Sequence, residues 1–98
     1  MAAKKTTRNP SMLVFRIMWS VAHGRAVRIV QTDGKVVEAR VERCVRDPRR
    51  DVKNATEQNS TMVAWLESGQ RVPVNEMADV QPAAARSWAE AEAEAAAA

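Results

Sequence analysis

Arginine carries most of the chemistry available to this sequence. Arg40, Arg43, Arg46, Arg49, Arg50 and Lys53 fall within one short stretch, and Arg25 and Arg28 precede them. A guanidinium matches a phosphate or carboxylate with two parallel hydrogen bonds, and a basic loop can follow a nucleic-acid backbone. Lys4, Lys5 and Arg8 could extend the same field from the N-terminal side. Trp65 and Arg71 add an aromatic ring beside a cation. Such a ring could stack on an exposed base for ~1–3 kcal/mol, or be covered by a helix, by the tail or by a second subunit. The candidate nucleic-acid-binding residues are therefore Arg28, Arg40, Arg43, Arg46, Arg49, Arg50, Lys53, Trp65 and Arg71. Against this stands a plain solvated surface, with Arg28 paired to Glu38 and with Glu42, Asp47 and Asp51 neutralising their neighbours.

Other chemistry has less to work with. No His–acid pair, nucleophile motif or glycine-rich phosphate loop is present, so no enzyme is expected. Glu90, Glu92 and Glu94 alternate with alanine in a repetitive tail rather than in an enclosed site that could tune their ionisation. His23 and Cys44 are the one imidazole and the one thiol, whereas a structural zinc site takes four ligands. Neither a metal nor another cofactor is expected. A lone cysteine rules out an intramolecular disulfide and suits a reducing compartment.

The net charge of +3 hides a polarity. Residues 1–50 hold 12 Lys/Arg against 4 Asp/Glu, and residues 51–98 hold 3 against 8. A basic surface for an acidic partner, with a separate acidic tail, is the arrangement this implies. No run reaches the roughly 18 apolar residues of a membrane span. The opening "MAAKKTTRNPS", followed by "MLVFRIMW" and "SVA", imitates a secretory signal, and its lack of acids imitates a mitochondrial presequence. Arg16 interrupts an already short apolar run, so a cytoplasmic protein is the expectation.

These side chains need elements to position them. Residues 1–11 read as a flexible basic arm, 12–82 as one small folding unit and 83–98 as a low-complexity acidic tail expected to fray. Met12–Ala22 reads two ways. Leu13, Phe15, Ile17, Trp19 and Val21 alternate as in a strand, while Val14, Ile17, Met18 and Val21 form a helical stripe with Arg16 and Ser20 off it. Ser11 as a cap and Gly24 as a stop favour the helix, and Trp19 reads as a core residue of this segment.

"VRIVQTDGKVVEARVERCV", from Val27 to Val45, is a hairpin whose register can be derived. A three-residue "TDG" loop, closed by Gly34, sets Ile29 against Val37 and Val27 against Ala39 on one apolar face. Arg28 then meets Glu38, and Ala26 meets Arg40, on the other face. A two-residue "DG" loop would mix the faces. The second strand is long enough to require a bend or bulge. "RDPRRDVKNATEQNS", residues 46–60, is a polar loop. "TMVAWLESGQRVPV" repeats the pattern with "ESG", pairing Ala64 with Val72 and Met62 with Val74 beside Leu66, and Trp65 with Arg71 outside. Pro73 suits an edge, and "NEMADV" gives a turn and a last strand with Met77 and Val80 inward.

This order of parts, carried by Asp33, Gly34, Val72, Val74, Met77 and Val80, resembles the Sm-like small β-barrel. Within that group it is most similar to the Rho-binding antiterminator family. The resemblance covers Met12 to Pro82 and implies a mainly β, five-stranded SH3-like barrel. Such a barrel binds RNA or, as in the antiterminator family, sits on an RNA-binding protein and blocks it. Residues 46–60 depart from the short link of Sm proteins, and the basic first half departs from the acidic docking surface of the antiterminators. The expected function is therefore nucleic-acid binding, to RNA or DNA, through the basic hairpin and loop. The alternative is a protein-interaction module, an inhibitor or adaptor docking on a larger protein, or a subunit of a homo-oligomer.

Overall fold

The computed structural model describes residues 9–46 and 62–97 of the 98. Helix α1 spans Pro10–His23. Its cap is Asn9 rather than the expected Ser11: the Asn9 side chain accepts from the Ser11 N–H at 2.9 Å, and Pro10 takes the first helical position, where no N–H is needed. The helix ends in a Schellman motif, with Gly24 N–H donating to Val21 C=O and Arg25 N–H to Ser20 C=O. The helical reading of this segment holds, but its buried stripe is rotated from the one expected. Leu13, Val14, Ile17 and Ser20 face the core, and Met18 is left in solvent. Ser20 tolerates full burial because its hydroxyl donates to the Arg16 carbonyl one turn back, at 2.9 Å.

Five antiparallel strands follow: β1 Ala26–Gln31, β2 Val36–Arg46, β3 Met62–Leu66, β4 Arg71–Pro73 and β5 Met77–Pro82. They form one sheet in the order β4-β3-β2-β1-β5, with a single 3-10 turn, Val74–Glu76, between β4 and β5. The first hairpin adopts the derived register, Ile29 on Val37, Val27 on Ala39, Arg28 on Glu38 and Ala26 on Arg40. The second pairs Ala64 with Val72 and Trp65 with Arg71. The expected Met62–Val74 pair does not form. Proline ends β4, and Val74 turns into the 3-10 segment while remaining fully buried.

The two hairpin loops are built alike. Gln31 N–H donates to Lys35 C=O and Leu66 N–H to Gln70 C=O, while Gly34 and Gly69 sit at φ 91° and 93°. An L side chain avoids that region, which is why glycine closes both loops.

Apolar alternation in each strand fills one core. Val27, Ile29, Leu66, Val72, Met77 and Val80 meet Leu13 and Ile17 of α1 there, all of them essentially inaccessible. Strand β2 serves two partners, with Val36–Arg40 pairing β1 and Val41–Arg46 pairing β3. After β5, the tail expected to fray forms a second helix, α2, over Trp88–Ala97. Ser87 caps it, accepting from Glu90 N–H at 3.1 Å. Among the described residues no helix is long and apolar enough to cross a membrane, and no group of three or more His, Cys, Asp or Glu could hold a metal.

Candidate nucleic-acid interface

A strand with strict alternation would turn Arg43 inward, because Val37, Ala39 and Val41 already face the core side. The register between β2 and β3 shifts by one residue between Val41 and Arg43. That bulge reverses the parity of everything after it. Cys44 turns in, opposite buried Ala64, and Arg43 turns out, opposite Trp65. Burial pushes the Cys44 thiol up to about 11 from its ordinary 9.0.

Trp65 therefore stands in the middle of a cross-strand row. Arg43 on β2 and Arg71 on β4 are its register partners on either side of β3. Their guanidinium carbons lie 4.2 Å and 3.8 Å from the indole centroid. Two guanidiniums that close to one ring need a face each, so the indole is sandwiched between cations. Each contact is worth about 0.5–1 kcal/mol at an exposed site. A guanidinium carries five N–H donors, and neither of these two has a carboxylate partner among the described residues to occupy them.

The electrostatics of the row differ from those of the neighbouring arginines. Arg28 donates to Glu38 at 3.3 Å, the cross-strand pair expected from the register. Arg25 donates to Glu94 on α2 at 3.2 Å, and Arg16 lies 3.7 Å from Asp79. Arg40, Arg43, Arg46 and Arg71 are exposed and, among the described residues, share no ion pair. Of the expected set, the structure brings Arg43, Trp65 and Arg71 together. Arg40 lies on the outer face of the first hairpin beside Ala26. Arg46 does not join the row: opposite Met62 at the end of β2, it follows Cys44 onto the other parity. Arg49, Arg50 and Lys53 lie outside the described residues.

A second cluster escaped the sequence reading. Trp88 of α2 donates its indole N–H to the Val80 carbonyl at 2.9 Å and meets Trp19 edge-on, with centroids 5.9 Å apart. Trp19 is thus half-buried against α2 and stacked on His23 at 4.2 Å, rather than set in the main core. Arg16 sits 5.4 Å from the Trp88 ring, and Ala91 is fully buried beneath α2. The signal was available in Trp88 and Ser87, but the surrounding Ala/Glu repeat masked it. Comparison with family models, curated proteins and solved structures found no match for this chain.

Proposed function

We propose that this protein binds nucleic acid through the outer face of its sheet, with Arg43 and Arg71 contacting phosphates and Trp65 holding them apart. The observation that carries this reading is the sandwich itself: two arginines, without carboxylate partners among the described residues, fixed against one ring. At most the sum of the two ring distances, about 8 Å, separates their guanidinium carbons. That spacing lets both reach neighbouring phosphates of one strand. Trp65 acts here as a spacer. A base could stack on it only by displacing an arginine, so the stacking role foreseen for it gives way to a positioning one. Arg40, opposite Ala26 on the outer face of the first hairpin, adds a further cation without a carboxylate partner among the described residues.

The Sm-like, SH3-like barrel belongs to the same proposal. Strand order β4-β3-β2-β1-β5 puts β4 and β5 at opposite edges of the sheet while a three-residue 3-10 turn joins them. That short link favours a sheet curled toward closure. A reducing, cytoplasmic setting fits the single, half-buried thiol.

A protein-docking module is the second reading, favoured by one observation. Phe15 and Met18 stand 66% and 53% exposed on the outer face of α1, where a soluble helix would normally carry polar residues. The two readings separate on salt. Anisotropy with labelled single-stranded RNA and duplex DNA should show binding at low salt that weakens steeply at moderate salt. No binding to either at low salt, together with capture of a protein partner lost on Phe15→Ser, would establish docking instead.

A further inference from the structure

A pocket of about 250 Å³ lies between the first hairpin and α2. Trp19 and Trp88 form its aromatic wall, Pro82 and Ala91 its apolar floor, and Arg25 and Arg40 its basic side. The volume falls just below the ordinary range of ligand pockets, which starts at about 300 Å³, and leaves room for one planar ring system rather than a base pair. Two features indicate what it takes. Arg40 reaches the pocket without an ion-pair partner among the described residues. Arg25 is already bridged to an anion, the Glu94 carboxylate of α2, 3.2 Å away. Trp88 anchors α2 at Val80, so Glu94 is held where it can compete for that guanidinium.

We infer that this pocket binds a single nucleotide unit, its phosphate at Arg25 and Arg40 and its base against Trp19 and Trp88, with Glu94 as a built-in competitor. This rests on the nucleic-acid reading and sharpens it. A base reaches such a pocket only when unpaired, so the substrate class is single-stranded, and a duplex engages only the Arg43–Trp65–Arg71 row. The same chemistry is offered by a free mononucleotide and by one unit of a strand.

Indole N–H signals in a ¹H–¹⁵N spectrum of the full chain test this directly, because its three tryptophans report two different places. Trp65→Phe and Trp19→Phe assign the three signals by elimination. The probes are inorganic phosphate, a nucleoside 5′-monophosphate, a short single-stranded RNA and a duplex of equal length. Trp19 and Trp88 should shift with the single strand and not with the duplex; a shift with the mononucleotide as well would show that a free nucleotide also enters. Glu94→Gln should tighten binding by about two- to fivefold, the worth of one exposed ion pair. Arg40→Ala, which breaks no ion pair among the described residues, should weaken it. Shifts at Trp65 alone would overturn the pocket and leave the interface standing. Silence at all three indoles, with no binding by anisotropy, would remove both. Equal shifts with inorganic phosphate alone would overturn the place given to the base.

Discussion

Trp65 shows how much a single residue depends on its register. An outward tryptophan opposite Arg71 was readable from the "ESG" loop, because a three-residue turn fixes which residues face each other. The approach of Arg43 from the other side was not, since it depends on where β2 bulges. Removing the ring should free both arginines. Trp65→Ala should lose about 1–3 kcal/mol of nucleic-acid affinity, since each side chain then gives up about 0.5–1.5 kcal/mol of freedom on binding. Circular dichroism and thermal melting should show the fold intact, because the ring lies on the outer face. Cys44 makes the inward counterpart. Its folded pKa, about 11, lies above the ordinary 9.0, so the folded state keeps the proton longer than the unfolded chain. The resulting stability is fully present below pH 9.0 and is lost as pH rises from there through about 11. The total is on the order of 2–3 kcal/mol. Denaturant titrations at pH 8 and pH 10.5 should show a steeper alkaline loss in the wild type than in Cys44→Ala; equal losses would mean that the thiol has no such linkage.

The elements repeat one device and depart from it once. The "TDG" and "ESG" loops close with the same pair of backbone bonds and a glycine at nearly the same φ. Gly69→Ala should cost about 1–2 kcal/mol, the strain of an L residue in the left-handed region, read as a lowered denaturant midpoint with an unchanged slope. Nothing lies within 4 Å of the position a Cβ would take, so backbone strain would be the whole effect. Both hairpin registers were legible because only one alignment buries an apolar face. The missing Met62–Val74 pair was hidden because alternation cannot reveal that a buried valine belongs to a 3-10 turn. The helix stripe was misjudged for a related reason. Ser20 counted as polar, yet its hydroxyl is satisfied within the helix, so the buried face turns toward Leu13 and Ser20 and leaves Met18 outside.

On the scale of the whole molecule, the charge polarity of the sequence becomes a spatial contact. The acidic second half supplies α2, which docks by Trp88 and places Glu94 on Arg25 of the basic half. Composition showed the two fields but not that they touch, because one tryptophan in an alanine-rich repeat carries little pattern. Trp88→Ala removes an indole that bonds Val80 and packs on Trp19. It should release α2 while the sheet persists, seen as faster amide exchange over residues 88–97 with the strand amides still protected. That Arg43 and Arg71 meet phosphates can be read from the salt dependence of single-stranded RNA affinity, comparing the wild type with Arg43→Ala/Arg71→Ala. Each lost phosphate contact should lower the slope of log K against log salt by about 1, so the double variant should bind more weakly and with a slope shallower by roughly two contacts. An unchanged slope and affinity would contradict the claim and place any nucleic-acid contact elsewhere on the molecule.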